Sequence, residues 1–168
     1  MSSEREHVTL RPAVEEDAPM VFRWRNDPFL VARASSAKCV TWEEHVRWFQ
    51  ETLCGSSRKM LIVLVDGEPA GQVRFDRADG AACVISAYLL EPYTGRGLGV
   101  IAIREACEFL FEHWGVTSIV AFVRQDNPPS QSAFRKAGFH DAGDATACPP
   151  KHFGMFLRRA DCAQGMTA

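Results

Sequence analysis

The sequence predicts an α+β fold, an antiparallel meander followed by a single helical crossover. Three observations carry this. Asp66-Gly67 and Asp79-Gly80 separate strand-like apolar runs at 61–65, 69–75 and 81–90, and Asp-Gly is the chemistry of tight hairpin turns. An amphipathic stretch follows the third run at once and leads to another apolar run, SIVAFV at 118–123, as a crossover helix requires. The remaining elements do not alternate strand and helix, which excludes a doubly wound dinucleotide fold.

In chain order, His7–Arg11 alternates around Val8 and Leu10 and reads as a first strand, ended by Pro12. Asp17 is placed to cap a helix reaching Asn26, with Pro19 in its first turn. Residues 27–40 are small, polar and irregular, a loop. Thr41 with Glu44 three residues on forms a capping box, and Trp42, Val46, Phe49 and Leu53 give that helix an apolar face. After the three meander strands, Val100, Ile103, Cys107 and Leu110 form the inner stripe of the crossover helix. Pro128 opens a helix that ends near Gly138, an N-terminal proline and a C-terminal glycine. HFGMFLRR at 152–159 closes the sheet, and the tail after Ala160 is expected to fray.

At 168 residues the chain is read as one domain over 1–160 with a flexible tail at 161–168. A net charge of −2 gives no reason to expect nucleic acid as partner. No apolar run approaches the roughly 18 residues of a membrane span, and MSSEREHV is no signal peptide. A cytoplasmic protein with reduced thiols is therefore expected. The cysteines at 39, 54, 83, 107, 148 and 162 include no CxxC pair, so no metal site is expected. Cys83 and Cys107 fall in apolar patterns and read as core, whereas Cys148 and Cys162 lie in polar sequence where a reactive thiol is open.

The chemistry concentrates in Leu89–Ala106, LLEPYTGRGLGVIAIREA. A strand runs into Gly95-Arg96-Gly97-Leu98-Gly99 and then into a helix. Three glycines within five residues turn backbone N–H groups toward a ligand, and the helix start adds more donors and a positive dipole end, together an anion site. No Gly-Lys-Ser/Thr follows, so the Walker pattern is absent.

Two motifs about 30 residues apart resemble the GCN5-related N-acetyltransferase superfamily over nearly the full chain. Its phosphate motif, Arg/Gln-x-x-Gly-x-Gly/Ala, appears as Thr94-Gly95-Arg96-Gly97-Leu98-Gly99. Its Asn-x-x-Ser/Ala-x-x-x-Tyr/Phe-x-Lys-x-Gly-Phe signature appears as Asn127 through Ser130, Phe134 and Lys136 to Gly138-Phe139. The resemblance implies a three-layer αβα fold, a mixed, mostly antiparallel sheet of about six or seven strands flanked by four helices. It implies acetyl-CoA as donor and direct transfer to an amine, with no metal. Cofactor contacts then fall on Leu89, Leu90, Thr94, Gly95, Arg96, Gly97, Leu98, Gly99, Val100, Asn127, Ser130 and Phe134. A strand N–H near Leu89 would polarise the thioester carbonyl, a kind of contact that contributes roughly 10²–10³ in rate. Asn127 has an ordinary alternative use as a helix cap. Thr94 departs from the family's Arg or Gln. Phe134 stands where many members carry the tyrosine that protonates the CoA thiolate, which leaves Ser130, also an ordinary first-turn residue, or water as proton donor.

On the acceptor side, Trp24-Arg25-Asn26-Asp27-Pro28 and Thr41-Trp42-x-x-His45-x-x-Trp48-Phe49 resemble the UDP-amino-sugar N-acetyltransferases of pseudaminic acid biosynthesis. The Trp-Arg-Asn pattern also occurs in ribosomal-protein and aminoglycoside acetyltransferases. The resemblance implies nucleotide contacts from Arg25 and His45, beside Asn26. Gln72, Arg74 and Asp76 share one strand face and read as a polar acceptor pocket. The sugar enzymes' strand glutamate falls on Phe122, so Asp76, Glu91 and His45 remain as base candidates. The expected partners are acetyl-CoA and a small, phosphorylated or nucleotide-linked amine, bound by a monomer or homodimer. A protein N-terminus, an aminoglycoside or another small amine, and a non-catalytic CoA sensor, remain open at this point.

Overall fold

The computed structural model describes residues 6–34, 38–143 and 148–164. Its strands are β1 (Val8–Pro12), β2 (Arg58–Val65), β3 (Glu68–Arg77), β4 (Ala82–Leu89), β5 (Ser118–Arg124), β6 (His140–Asp141) and β7 (His152–Arg158). They form one sheet in the order β1-β2-β3-β4-β5-β7-β6, with β4–β5 parallel and every other pair antiparallel. Asp66 and Gly67 both take positive φ, 51° and 87°, the turn that matches the twist of a hairpin. The helices are α1 (Ala18–Arg25), α2 (Pro28–Val31), α3 (Trp42–Cys54), α4 (Leu98–His113), α5 (Pro128–Lys136) and α6 (Arg159–Gln164).

Alternate side chains of the central strands feed two cores. Leu61, Val63, Val73 and Phe75 pack with Ile103, Cys107 and Leu110 of α4 and with Phe134 of α5. Met60 and Ile62 pack with Val21 and Trp24 of α1 and Phe49 of α3. Helices thus cover both faces of the sheet, the α+β, three-layer arrangement expected.

Several local expectations need correction. Asp17 does not cap α1. Its carboxylate instead grips the Arg11 guanidinium through two contacts of 2.7 Å and accepts the Val14 N–H at 2.9 Å. The capping box at Thr41 and Glu44 is present, but the buried stripe of α3 is His45, Phe49 and Thr52, while Trp42 is 41% exposed. The inner stripe admits two polar side chains because each has a backbone partner. His45 Nε2 bonds the Ala18 carbonyl at 2.9 Å and the Thr52 hydroxyl donates to Trp48 O at 2.9 Å. The 27–40 loop contains the short α2, capped by Asp27. Beyond Ala160 the chain continues in α6, and the short edge strand β6 gave no sequence signal. Cys83 and Cys107 are buried as expected and Cys148 is half-buried; the side chain of Cys162 lies outside the described residues. Burial pushes the Cys83 thiol up to about 12, an inert core cysteine.

One topological feature positions the site. The β4–β5 ladder pairs Ala82–Ile85 with Ser118–Ala121 and ends there. Beyond it, Ser86–Leu89 remain paired to β3 and Phe122–Arg124 to β7. The two strands therefore diverge toward their C-terminal ends, and each turns an unpaired backbone edge into the gap.

Candidate active site

The gap opens into a cavity of about 920 Å³ reached from both faces of the sheet, lined by Ala102 and Ile103 of α4 on one side and by Trp24 and Arg25 of α1 on the other. At the α4 end it is bounded by Thr94, Gly95, Gly97, Gly99 and Val100. Gly95 and Gly97 hold φ of 73° and 80°, and Gly97 is the N-cap of the 16-residue α4. A Cβ on either glycine would meet nothing within 4 Å, so it is the positive φ and not crowding that favours glycine at both positions. Leu98 lies beneath it in the core and is not part of the cavity wall. Arg96 turns away, donating to Pro92 O at 2.9 Å and pairing with Glu6. The cation on the wall here is instead Lys136, from the end of α5.

Along β4, the Leu90 N–H donates to Ala70 O at 2.8 Å, and the Leu90 side chain packs in the α1–α3 core. Leu90 therefore faces away from the cavity. Alternation along the strand turns the N–H of its neighbour, the wall residue Leu89, into the gap. Gly71 allows this edge to form: a Cβ there would stand 2.2 Å from Tyr88 O and 2.8 Å from Leu89 Cα. On the opposite wall, Asn127 both caps α5, accepting from Ser130 N at 3.3 Å, and borders the cavity, as do Ser130 and Phe134. Phe134 stacks edge-on against Phe139 at 5.0 Å and has no proton to give.

At the α1–α3 end, Arg25 and Arg74 stand over the same Trp48 ring, 5.6 and 5.5 Å from its centroid, a cation–π arrangement that holds both guanidiniums in place. Arg33 and Arg124 add charge, Arg124 paired with Asp126 and donating to Ala34 O at 3.1 Å. Among the described residues, none of the side chains on the cavity wall is a carboxylate.

The three base candidates are not brought to this wall. Asp76 is held by Arg58 at 3.0 Å and Arg74 at 2.8 Å. Glu91 sits on the exposed turn after β4. His45 is 1% exposed, inside an aromatic cluster with Phe22, Trp48 and Phe49; burial pushes its pKa down, so its neutral form is favoured. Asn26 bonds both backbone groups of Val40, at 3.0 and 2.9 Å, and so ties the loop to α1.

Sequence reasoning missed Tyr88. It lies on the cavity wall, and its hydroxyl, like Gln72 Oε1, is buried without a protein partner among the described residues. Such a group costs about 1–3 kcal/mol while unpaired. Extending the period-2 face of Gln72 and Arg74 one strand further would have found it, since Tyr88 is the register partner of Gln72. Among the described residues, no group of His, Cys, Asp and Glu is arranged to hold a metal, and no helix is long and apolar enough to cross a membrane.

The model of the acetyltransferase (GNAT) domain family matches residues 7–140. "Acetyltransferase PseH" of Campylobacter jejuni (strain 81-176) is 26% identical over 124 residues, covering 74% of this chain and 77% of its own. "Aminoglycoside N(6')-acetyltransferase type 1" of Klebsiella pneumoniae is 24% identical over 161 residues, covering 87% and 80%. The crystal structure of aminoglycoside acetyltransferase AAC(6')-Ib in complex with coenzyme A superposes with a TM-score of 0.83 at 23% identity, over 96% of this chain and 100% of that one. The chain belongs to the GNAT acetyltransferase family.

Proposed function

We propose that this GNAT acetyltransferase acts on the amine of a small anionic acceptor, a nucleotide-linked amino sugar. The enzyme class and the donor are those of the family: an N-acetyltransferase that uses acetyl-CoA. The acceptor reading rests on one observation, a wall that carries Arg25, Arg33, Arg74, Arg124 and Lys136 and, among the described residues, no carboxylate. Polycationic amines such as aminoglycosides need carboxylates, whereas a diphosphate is matched by the forked donors of arginine. The likeness of Trp24–Pro28 and Thr41–Phe49 to amino-sugar enzymes points the same way.

The cavity residues suit the reaction step by step. The N–H groups of Gly95 to Val100 and the N-terminal end of α4 receive the CoA pyrophosphate. The gap-facing edge of β4 receives the pantetheine arm as an added strand. The Leu89 N–H points where the thioester carbonyl becomes negative. Acetyl-CoA supplies the activated acyl group. The amine must attack as the free base, and Arg25 and Arg74 disfavour its ammonium form by like-charge repulsion, so no carboxylate base is required. Ser130, or water, returns a proton to the thiolate.

The test is thiol release from acetyl-CoA over a panel of UDP-amino-sugars, aminoglycosides and peptides. UDP-amino-sugars are expected to give the highest kcat/KM. Arg25→Ala and Arg74→Ala should each raise the acceptor KM about tenfold or more, the value of a charge-assisted hydrogen bond, and leave the acetyl-CoA KM unchanged. Preference for a polycation or a peptide would overturn the acceptor assignment. CoA binding without turnover of any amine would overturn catalysis itself.

A further inference from the structure

We propose that Gln72 and Tyr88 form the seat of the acceptor's reacting amine and make the site select an amine over a hydroxyl. This deepens the acceptor reading above and rests on it. Gln72 is 5% exposed, yet it borders the cavity together with Tyr88. The two residues are register partners on β3 and β4, so their side chains stand side by side on one sheet face. Gln72 Oε1 and the Tyr88 hydroxyl are both buried, and neither has a protein partner among the described residues. The neighbour of Tyr88 is Leu89, whose N–H faces the gap where the acetyl carbonyl is received.

The donor count fits an amine. A neutral primary amine has two N–H donors and one lone pair. Gln72 Oε1 accepts one N–H and the Tyr88 oxygen accepts the other, which leaves the lone pair for the acyl carbon. A hydroxyl can also meet both, giving its hydrogen to Gln72 Oε1 and accepting from the Tyr88 O–H. It must lose that only hydrogen on transfer, however, and leave Gln72 Oε1 unpaired, whereas the amide formed from an amine keeps one N–H for it. Burial pushes the Tyr88 pKa up, so the phenol stays protonated and serves as a neutral partner rather than as a base. In the transfer step the amine nitrogen forms the N–C bond, and the C–S bond breaks with its electron pair going to sulfur. The surplus N–H proton leaves to solvent, and the thiolate is reprotonated as described above. Gln72 and Tyr88 are thus positioning residues that exchange no proton.

The experiment uses Tyr88→Phe, Gln72→Met and the double variant, each first matched to the parent in melting temperature and in acetyl-CoA Kd. UDP-glucosamine and UDP-glucose serve as probes that differ only by amine against hydroxyl. Each single variant is expected to lower kcat/KM for UDP-glucosamine about three- to tenfold, the loss of one neutral hydrogen bond. UDP-glucose can meet both oxygens at rest, so its Kd should rise about as much as that of UDP-glucosamine, and the further loss specific to the amine appears in kcat. Weakened binding of both probes with kcat for UDP-glucosamine unchanged would reveal a merely structural role and overturn the proposal, as would unchanged kcat/KM for the amine. Failure of the nucleotide-sugar reading shows separately, as absent turnover of UDP-glucosamine by the parent enzyme. The same variants are then compared on the best amine of the panel and its hydroxyl counterpart, with the same criteria.

Discussion

Replacing Gly97 separates backbone strain from charge at the proposed pyrophosphate site. Gly97 caps α4 at φ 80° and ψ −7°, and an added Cβ would meet no atom within 4 Å. A side chain there is therefore free of clash and costs about 1 kcal/mol for the left-handed conformation. Asn and Asp are nearly the same size and tolerate that conformation similarly, so Gly97→Asn and Gly97→Asp should melt at similar temperatures. They differ by one negative charge beside the open face of the turn. A carboxylate about 4 Å from a phosphate charge, at an effective dielectric of about 20, is repelled by about 4 kcal/mol. Halving this for exposure and salt leaves about 2 kcal/mol, roughly a 30-fold difference in Kd. Titration calorimetry with CoA should show that gap between the two variants, and raising the salt should narrow it. Equal CoA affinity of the two variants at low salt would refute the placement of the pyrophosphate.

Other expectations follow from single contacts. Asp17→Asn removes the charge paired with Arg11 and should cost about 1.5–3 kcal/mol, read from denaturant midpoints. Burial pushes the Asp17 pKa up, but the Arg11 contact and the Val14 N–H outweigh it and hold the carboxyl below its usual range. Its contribution is therefore complete above about pH 4, the unfolded value, and is lost as pH falls through the lower folded value; the variant should show a shallower loss of stability in acid. Gly71→Ala places a Cβ 2.2 Å from Tyr88 O, which forces β3 and β4 apart; a loss of about 1–3 kcal/mol together with reduced kcat is expected, and wild-type kcat would contradict the role given to that edge. Ser130→Ala should lower kcat with little change in acetyl-CoA affinity, measured by steady-state kinetics; an unchanged kcat assigns the thiolate proton to water.

The glycine turn was legible in the sequence because it is local. Strand, positive-φ glycines and helix start fall within about ten residues, and the hairpin turns state the strand order that surrounds them. The proposed acceptor end of the cavity is assembled from α1, α3, β3 and β4, where sequence spacing says nothing about proximity. Arg25 and Arg74 were found from pattern, but their common support, Trp48, belongs to a helix whose inner stripe does not follow the apolar residues alone. The buried positions on α3 include His45 and Thr52 because backbone carbonyls one element or one turn away satisfy them, and no hydrophobic count registers such a partner. The resting place of the Arg96 side chain was hidden for a related reason. Its position in the glycine turn suggests phosphate, while in this structure Pro92 O and the remote Glu6 hold it.

Two departures from the family pattern, Phe122 and Phe134, belong with the cationic wall rather than against catalysis. Both phenylalanines border the cavity, where a glutamate and a tyrosine would serve as base and acid. A site lined with carboxylates stabilises an ammonium ion and then needs a base to deprotonate it. In the acceptor reading proposed above, Arg25 and Arg74 lower the pKa of the bound amine, so the base becomes dispensable and an apolar ring can occupy its place. The pH dependence of kcat, which reports the enzyme–substrate complex, gives the distinction. The acid limb of kcat should lie below the pKa of the free acceptor amine. Removing a positive neighbour with Arg25→Ala should move that limb upward, because the ammonium form is then less disfavoured. A limb at or above the amine's solution pKa in the parent enzyme, unmoved by Arg25→Ala, would show that the guanidiniums do not act on the amine and that a separate base must be sought.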